Sequence, residues 1–327
     1  MMDWKEAVKA ISSLPVRFNV PLSRLTTFRI GGPVECLAEP DHEQQLSELL
    51  KIAKKFKLPV YVLGRGSNLL APDDPLPGLA IKLGRGFQVV EQQGELVFAG
   101  AGTPNGVLVE QCRKWGLGGL EFLIAVPGSI GGAVAMNAGA HNAETAAFIR
   151  RVRFLNEQDE FQELSVKQSD FGYRTSQFRA PDRLVVGAWF QPNPSDSDAV
   201  KSKVVSFQSY RRETQPREFP NCGSVFRNPE GDHAGRLIEA VGLKGHRIGQ
   251  AQISEKHANF IVNHGGAKSS EVIELINLMS DSVYKKYGIE LALELQILPN
   301  QSRWVGFHQS SEDQSVKDVE GGRSGND

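Results

Sequence analysis

The sequence is poor in cysteine. Only Cys36, Cys112 and Cys222 occur in 327 residues, odd in number and far apart. No CxxC pair exists, so neither a disulfide framework nor a zinc ribbon is expected. The seven histidines fall in no HxH or HxxxH spacing, and no metal site is expected. An excess of positive charge is missing too. A net charge of −1 argues against a nucleic-acid partner gripped by a broad positive field. No run of 18 apolar residues occurs, so no membrane span is expected. The first residues, MMDWKEAVKAISSLP, carry charge where a signal peptide would carry an apolar core. A reduced, soluble, cytoplasmic protein is the expectation, and internal repeats are absent.

What is present supports real cores: 40% of residues are hydrophobic, over a length suited to about two domains. EPDHEQQLSELLKIAKKFKLP (39–59) reads as a helix with Asp41 as N-cap and Gln44 in capping-box register. Its apolar face is Leu46, Leu49, Leu50 and Ala53. VYVLGRGSNLL (60–70) starts as a strand and breaks into a glycine loop. ELVFAGAG (95–102) is a strand, and TPNGVLVEQCRKWG (103–116) a helix capped by Thr103 with Pro104 at N1. From about 150 to 195, short strand-like runs alternate with polar turns.

QPNPSDSDA (191–199) reads as a linker into a helix over 198–212. Beyond it come a short helix in 233–245, a strand at 257–266, a helix over 269–288 and a strand at 289–298. The third of these shows Val272, Ile276, Met279 and Val283 on one face, with Gly288 as its stop. The expected fold class is α+β. Its parts are a helical extension (1–20), a larger glycine-rich unit (21–192, with subunits near 21–84 and 85–192), a smaller unit (193–300) and a polar tail (301–327).

Two loops look like phosphate cradles. One is Gly64-Arg65-Gly66-Ser67-Asn68, followed by Leu69. The other is Pro127-Gly128-Ser129, with Gly131 and Gly132, continuing to Asn137 and Ala138. Glycine lets a backbone turn so that successive amides converge on an anion. Either loop alone could be a tight turn; together they favour a bound dinucleotide. AGAGTPNG (99–106) has the GxGxxxG look of a Rossmann site, with Glu121 near the ribose-binding position. The second strand that such a site needs is missing.

TTFRIGGP, VLGRGSNLL, GLEFLIAVPGSIGGAVAMNAGA, FGYRTS, CGSVFRNP, AGRLIEAVGLKG and SEKHANFIVN stand in one order over residues 20–298. This set resembles the UDP-N-acetylenolpyruvoylglucosamine reductases, also called UDP-N-acetylmuramate dehydrogenases. The short spacing between FGYRTS and CGSVF matches the family's variant without a substrate-covering loop. The resemblance implies an FAD-binding domain of the vanillyl-alcohol-oxidase type followed by a substrate-binding domain. It implies FAD as cofactor, with NADPH as co-substrate. The small-molecule substrate would be a UDP-sugar enolpyruvyl ether, reduced for bacterial peptidoglycan synthesis. A monomer is expected.

The same resemblance assigns three catalytic residues. Arg174 in FGYRTS stabilises charge on the substrate carboxylate, Ser224 in CGSVFRNP gives a proton to C2, and Glu294 is the catalytic glutamate. Around Glu294 the chain reads LALELQ where the family often reads LEPEVR, and Glu290 is the competitor. On a strand both would share a face. Tyr173, Arg212, Asn228 and His257 are expected at the substrate, and Arg211, Arg212 and Arg217 form a basic patch. Cys222 is expected to be a small buried residue. Two alternatives stay open: another FAD-dependent oxidase of the same superfamily, and a non-catalytic nucleotide-sugar-binding module.

Overall fold

The computed structural model of the chain describes residues 3–180 and 182–299; the expected tail, 301–327, lies outside them. The helix α1 (Trp4–Lys9) covers only part of the expected extension, because Val16–Pro21 is already a strand. That strand edges a four-stranded sheet in the order Val16–Pro21, Pro33–Ala38, Leu76–Ile81, Val60–Val62. The first pair is antiparallel and the others parallel. The helix α2 (Glu43–Lys55) lays Leu46, Leu49, Leu50 and Ala53 on the core, as its 3.6-residue spacing predicts. Its cap is His42, whose ring nitrogen accepts from the Gln45 amide at 3.4 Å. Asp41 is not the cap: its carboxylate accepts from the Gly86 amide instead.

A second sheet is antiparallel throughout. Its order is Phe161–Ser165, Ile149–Leu155, Leu184–Phe190, Leu96–Gly100, Val90–Gln93. Leu184–Phe190 is buried at every position, as its unbroken apolar run requires. The helix α3 (Asn105–Lys114) begins one residue later than Thr103 as N-cap would have it, with Pro104 at the cap. The Thr103 hydroxyl donates instead to the Val89 carbonyl at 3.1 Å. The helix α4 (Ile130–Ala135) is the short helix after PGS.

The helix α5 (Ser197–Thr214) is longer than expected and is capped by Asp196, which accepts from the Asp198 and Ala199 amides. It packs on the 121–125 turn and α3, and its Val204 and Phe207 join the larger unit's core. By packing, α5 belongs with the larger unit, and the smaller unit's core starts near Cys222 rather than at 193. That core gathers Val225, Phe226, Leu237, Met279 and Val283 beneath α6 (Ala234–Ala240) and α7 (Ser269–Tyr287). Gly288 ends α7 in the left-handed conformation, φ 67°. A three-stranded antiparallel sheet, Arg247–Ile248, Ala251–Ile253 and Ile261–Asn263, completes the unit.

The two units are stitched together. The expected strands 257–266 and 289–298 shrink to Ile261–Asn263 and Gln296–Ile297. The latter pairs parallel with Leu69–Leu70, just past GRGSN. Asp73 reaches from the larger unit to the start of α7, accepting from the Ser269 amide and hydroxyl, each at 2.9 Å. All three cysteines are free and buried, and burial pushes the Cys222 thiol up to about 12. Among the described residues, no helix is long and apolar enough to cross a membrane, and no cluster of metal-ligating side chains occurs.

Candidate active site

GRGSN leaves the strand Val60–Val62 as a tight loop. Gly66 sits at φ 61°, and a Cβ there would lie 2.3 Å from the Leu25 carbonyl oxygen. No other residue type fits. Among the described residues, the amides of Arg65, Gly66, Ser67 and Asn68 find no acceptor. Such a run of free N–H groups suits an anionic phosphate. The second loop faces the first: the Ser67 hydroxyl donates to the Pro127 carbonyl, and a Cβ on Gly64 would come 2.8 Å from Ser129 Oγ. Gly131 lies against Ala101, where a Cβ would be 3.1 Å from the alanine Cβ.

Between the loops and α3 is a cavity of about 300 Å³, lined by Arg65, Asn105, Ile124, Pro127 and Gly128 among others. Asn105 is buried on its wall with Oδ1 unpartnered, ready to accept from a ligand. Free amides, a glycine-shaped cradle and an orphaned acceptor fit a dinucleotide cofactor. The Rossmann alternative fails on topology, since Leu96–Gly100 pairs antiparallel with both neighbours. Glu121 is buried and accepts from the Gly119 amide at 2.8 Å, away from any ribose site.

Leu69 and Ala138 are buried behind the loops. Asn137 is also buried, and its side chain is a brace. Its Oδ1 accepts from the Ala146 amide at 2.9 Å, and its Nδ2 donates to the Gly172 carbonyl at 3.0 Å. The second contact ties the second glycine loop to the Phe171–Ser176 hairpin that carries Arg174.

Arg174 occupies the turn of that hairpin at φ 56°, unusual for a side-chain-bearing residue. Gly139 makes room for its guanidinium: a Cβ there would lie 3.1 Å from Arg174 Nη1. Arg174 Nε stands 3.0 Å from Glu294 Oε1. Its N–H is not aimed at that oxygen, and it has no aligned acceptor among the described residues.

Ser224 and Glu294 lie on paired segments. The Glu294 amide donates to the Val225 carbonyl at 2.9 Å, and Phe226 bridges Leu293. The first glycine loop holds the same place: Asn68 Nδ2 donates to the Glu294 carbonyl at 2.9 Å, and the Gln296 amide to the Asn68 carbonyl at 3.1 Å. Gly223, at φ 83°, brings the serine loop beside Ser67; a Cβ on Gly223 would be 3.9 Å from the Ser67 carbonyl oxygen. The Ser224 hydroxyl is half-buried and makes no hydrogen bond among the described residues. Burial pushes the Glu294 carboxyl above the ordinary carboxylate range, while Arg174 and Arg227 pull it back. Glu290 is exposed and outside this cluster.

The softer expectations divide. Tyr173 is half-exposed, with the Arg174 guanidinium 5.2 Å from its ring centre, and so borders the site. Arg212 is exposed at the end of α5, where its carbonyl accepts from Lys256 Nζ at 2.7 Å. Its neighbour Arg211 is the inward one, with Nε donating to Gln215 Oε1 at 2.8 Å. Asn228 Oδ1 accepts from the Ala234 amide and so serves the start of α6. The His257 ring lies against Gly235 of α6 and accepts from the Asn259 amide. Burial holds its pKa below the usual histidine value. Both side chains act on α6 here rather than on the cluster around Glu294.

Three residues of the site went unread in the sequence. Asn259 clamps both backbone groups of Phe226, accepting from its amide at 2.9 Å and donating to its carbonyl at 2.8 Å. A buried asparagine inside HANFIVN was the available signal. The variant Asn259→Ala orphans both groups and should cost about 2–4 kcal/mol, read by urea unfolding. A loss under about 0.5 kcal/mol, within the range of neutral surface changes, would show that the clamp is dispensable. Arg227 and Arg179 are the other two; neither forms a close ion pair among the described residues, although Arg227 acts on Glu294 through its charge.

The chain resembles known proteins over both units. An FAD-binding domain model matches residues 34–165, and a model of the C-terminal domain of UDP-N-acetylenolpyruvoylglucosamine reductase matches 215–298. The chain is 42% identical over 294 residues to the UDP-N-acetylenolpyruvoylglucosamine reductase of Carboxydothermus hydrogenoformans, covering 90% of this chain and 97% of the relative. With that of Bacillus subtilis it shares 41% over 282 residues, 86% and 93% of the two chains. The crystal structure of the Thermus caldophilus enzyme superposes with a TM-score of 0.75 at 33% identity, covering 88% of this chain and all of that one. The α+β fold therefore carries FAD in its larger unit, and the chain belongs to the UDP-N-acetylenolpyruvoylglucosamine reductase family.

Proposed function

We propose that the protein reduces UDP-N-acetylglucosamine enolpyruvate to UDP-N-acetylmuramate at the expense of NADPH, in peptidoglycan precursor synthesis. One observation carries this reading. Ser224, Arg174 and Glu294, from three separate segments, meet beside the flavin loop, with Asn68 tied to Glu294 and Gly223 beside Ser67. The amides of 65–68, with Asn105 and the Pro127–Gly132 loop, would hold FAD. Bound there, FAD would supply the hydride-transfer chemistry that links NADPH to C3 of the substrate.

The chain's own residues manage charge and the proton. Arg174 is always cationic and suits a carboxylate. Glu294 keeps it in place, and its raised affinity for a proton lets the neutral acid donate to the substrate carboxylate. Ser224 gives its proton to C2. A hydroxyl is a weak acid, but a carbanionic carbon is a strong base, so no histidine is needed. Preorganised cations in a half-buried site act where charge develops.

Anaerobic stopped-flow tests the reading. NADPH should bleach the bound flavin, and the enolpyruvyl substrate should restore its colour faster than dioxygen does. A flavin that dioxygen reoxidises and the substrate does not would assign the chain to another oxidase chemistry.

A further inference from the structure

We propose that Arg227 is a second cation of the reacting-carboxylate site, holding the substrate carboxylate together with Arg174 while negative charge builds on it. This rests on the reductase reading above.

The backbone places Arg227 there. Its amide donates to the Ala292 carbonyl at 2.9 Å, and Phe226 opposite Leu293 sets the register. Val225 faces Glu294 in that pairing. Side chains two residues apart on an extended segment share a face. Arg227 therefore stands diagonally beside Glu294, three residues from Ser224.

Arg227 Nε is buried and has no hydrogen bond among the described residues, while the guanidinium's charge draws the Glu294 pKa down. A buried cationic N–H without an acceptor is costly. Arg174 Nε, 3.0 Å from Glu294 Oε1, also makes no aligned hydrogen bond among the described residues. Both guanidiniums pull the Glu294 pKa down, so both stand within electrostatic reach of its carboxyl. Arg179 adds to the positive field: it is half-buried and forms no ion pair among the described residues, and burial together with Arg227 pushes its pKa down.

The charges of the reaction require such a group. Arg174 and Glu294 neutralise each other when Glu294 is ionised. The substrate carboxylate brings one negative charge. Hydride addition at C3 breaks the C2–C3 π bond, and its electron pair moves to C2 and into the carboxylate, making a dianion. The proton from Ser224 then forms the C2–H bond and returns the group to one negative charge. With Glu294 as the neutral acid, Arg174 alone meets one of the two negative charges of the dianion, whereas Arg174 with Arg227 meets both.

The test compares Arg227→Gln with the wild-type holoenzyme. Reduction of the flavin by NADPH should be unchanged, and reoxidation by the enolpyruvyl substrate should slow about 10- to 100-fold, the range of a charged hydrogen bond. Calorimetric affinity for UDP-N-acetylmuramate should fall by a similar factor, while affinity for UDP, which lacks the carboxylate, stays put. Reoxidation within about twofold of wild type, a margin well inside one charged contact, would overturn the proposal. So would equal slowing of both half-reactions, or weaker binding of UDP, which would place Arg227 at the diphosphate. If Arg227→Gln fails to retain FAD, Arg227→Lys decides. It keeps the charge and loses the planar fork, so a smaller drop in reoxidation alone is expected, and no drop overturns the proposal. A wild-type enzyme that the substrate cannot reoxidise would bring down the reductase reading with it. Failure in the variant alone removes only Arg227.

Discussion

Ser224→Ala is expected to accept electrons from NADPH at the wild-type rate and to pass them to the enolpyruvyl substrate about 10³-fold more slowly, the middle of the range for a lost general acid. The split follows from where the serine stands. Ser224 follows a glycine at φ 83° and has no partner for its hydroxyl among the described residues, so it does not hold the fold together. No side chain of the flavin loops hydrogen-bonds the Ser224 hydroxyl among the described residues, and Gly223 approaches the first loop through backbone. Removing the hydroxyl should therefore leave FAD binding and the flavin spectrum alone. The residual rate measures how well water replaces the donor. Wild-type reoxidation in this variant would mean that another group, Glu294 first among them, protonates C2.

How much of this was legible depends on the kind of interaction. The glycine loops could be read because backbone geometry forces the residue type: at Gly66 a side chain would strike the Leu25 carbonyl. The buried face of α7 could be read because its spacing is regular over 19 residues. Features set by distant partners could not. The run 289–298 suggested a strand, yet Leu291 and Leu295 are anchored by core contacts, and only Gln296–Ile297 finds a partner strand among the described residues. The allegiance of α5 is invisible in its own pattern, since Val204 and Phe207 would suit either core. Asn259 and Arg227 look like ordinary polar residues until the fold places one over Phe226 and the other beside Glu294.

The choice between Glu290 and Glu294 is of this second kind, and it yields the other large effect. Among the described residues, pairing with 225–227 runs only over 292–295, so alternation does not extend to Glu290; contacts decide. Glu294 lies 3.0 Å from Arg174 and its carbonyl is held by Asn68, while Glu290 faces solvent. Glu294→Gln should lower turnover about 10²- to 10³-fold, in keeping with loss of an acid–base group. Glu290→Gln should stay within about twofold, as surface changes do. The reverse order would shift the catalytic role to Glu290. A second readout tests the environment itself. Burial raises the Glu294 pKa in the folded protein, so folded protein holds this proton more tightly than unfolded protein. Stability from this group is then present at low pH and is lost as pH rises from the ordinary carboxylate value through the raised one. Glutamine cannot titrate. The melting temperature of Glu294→Gln should therefore gain on wild type as pH is raised from below 4.5, the unperturbed value, towards neutrality. A constant difference across that range would mean that Arg174 and Arg227 outweigh burial and that Glu294 works as a carboxylate throughout.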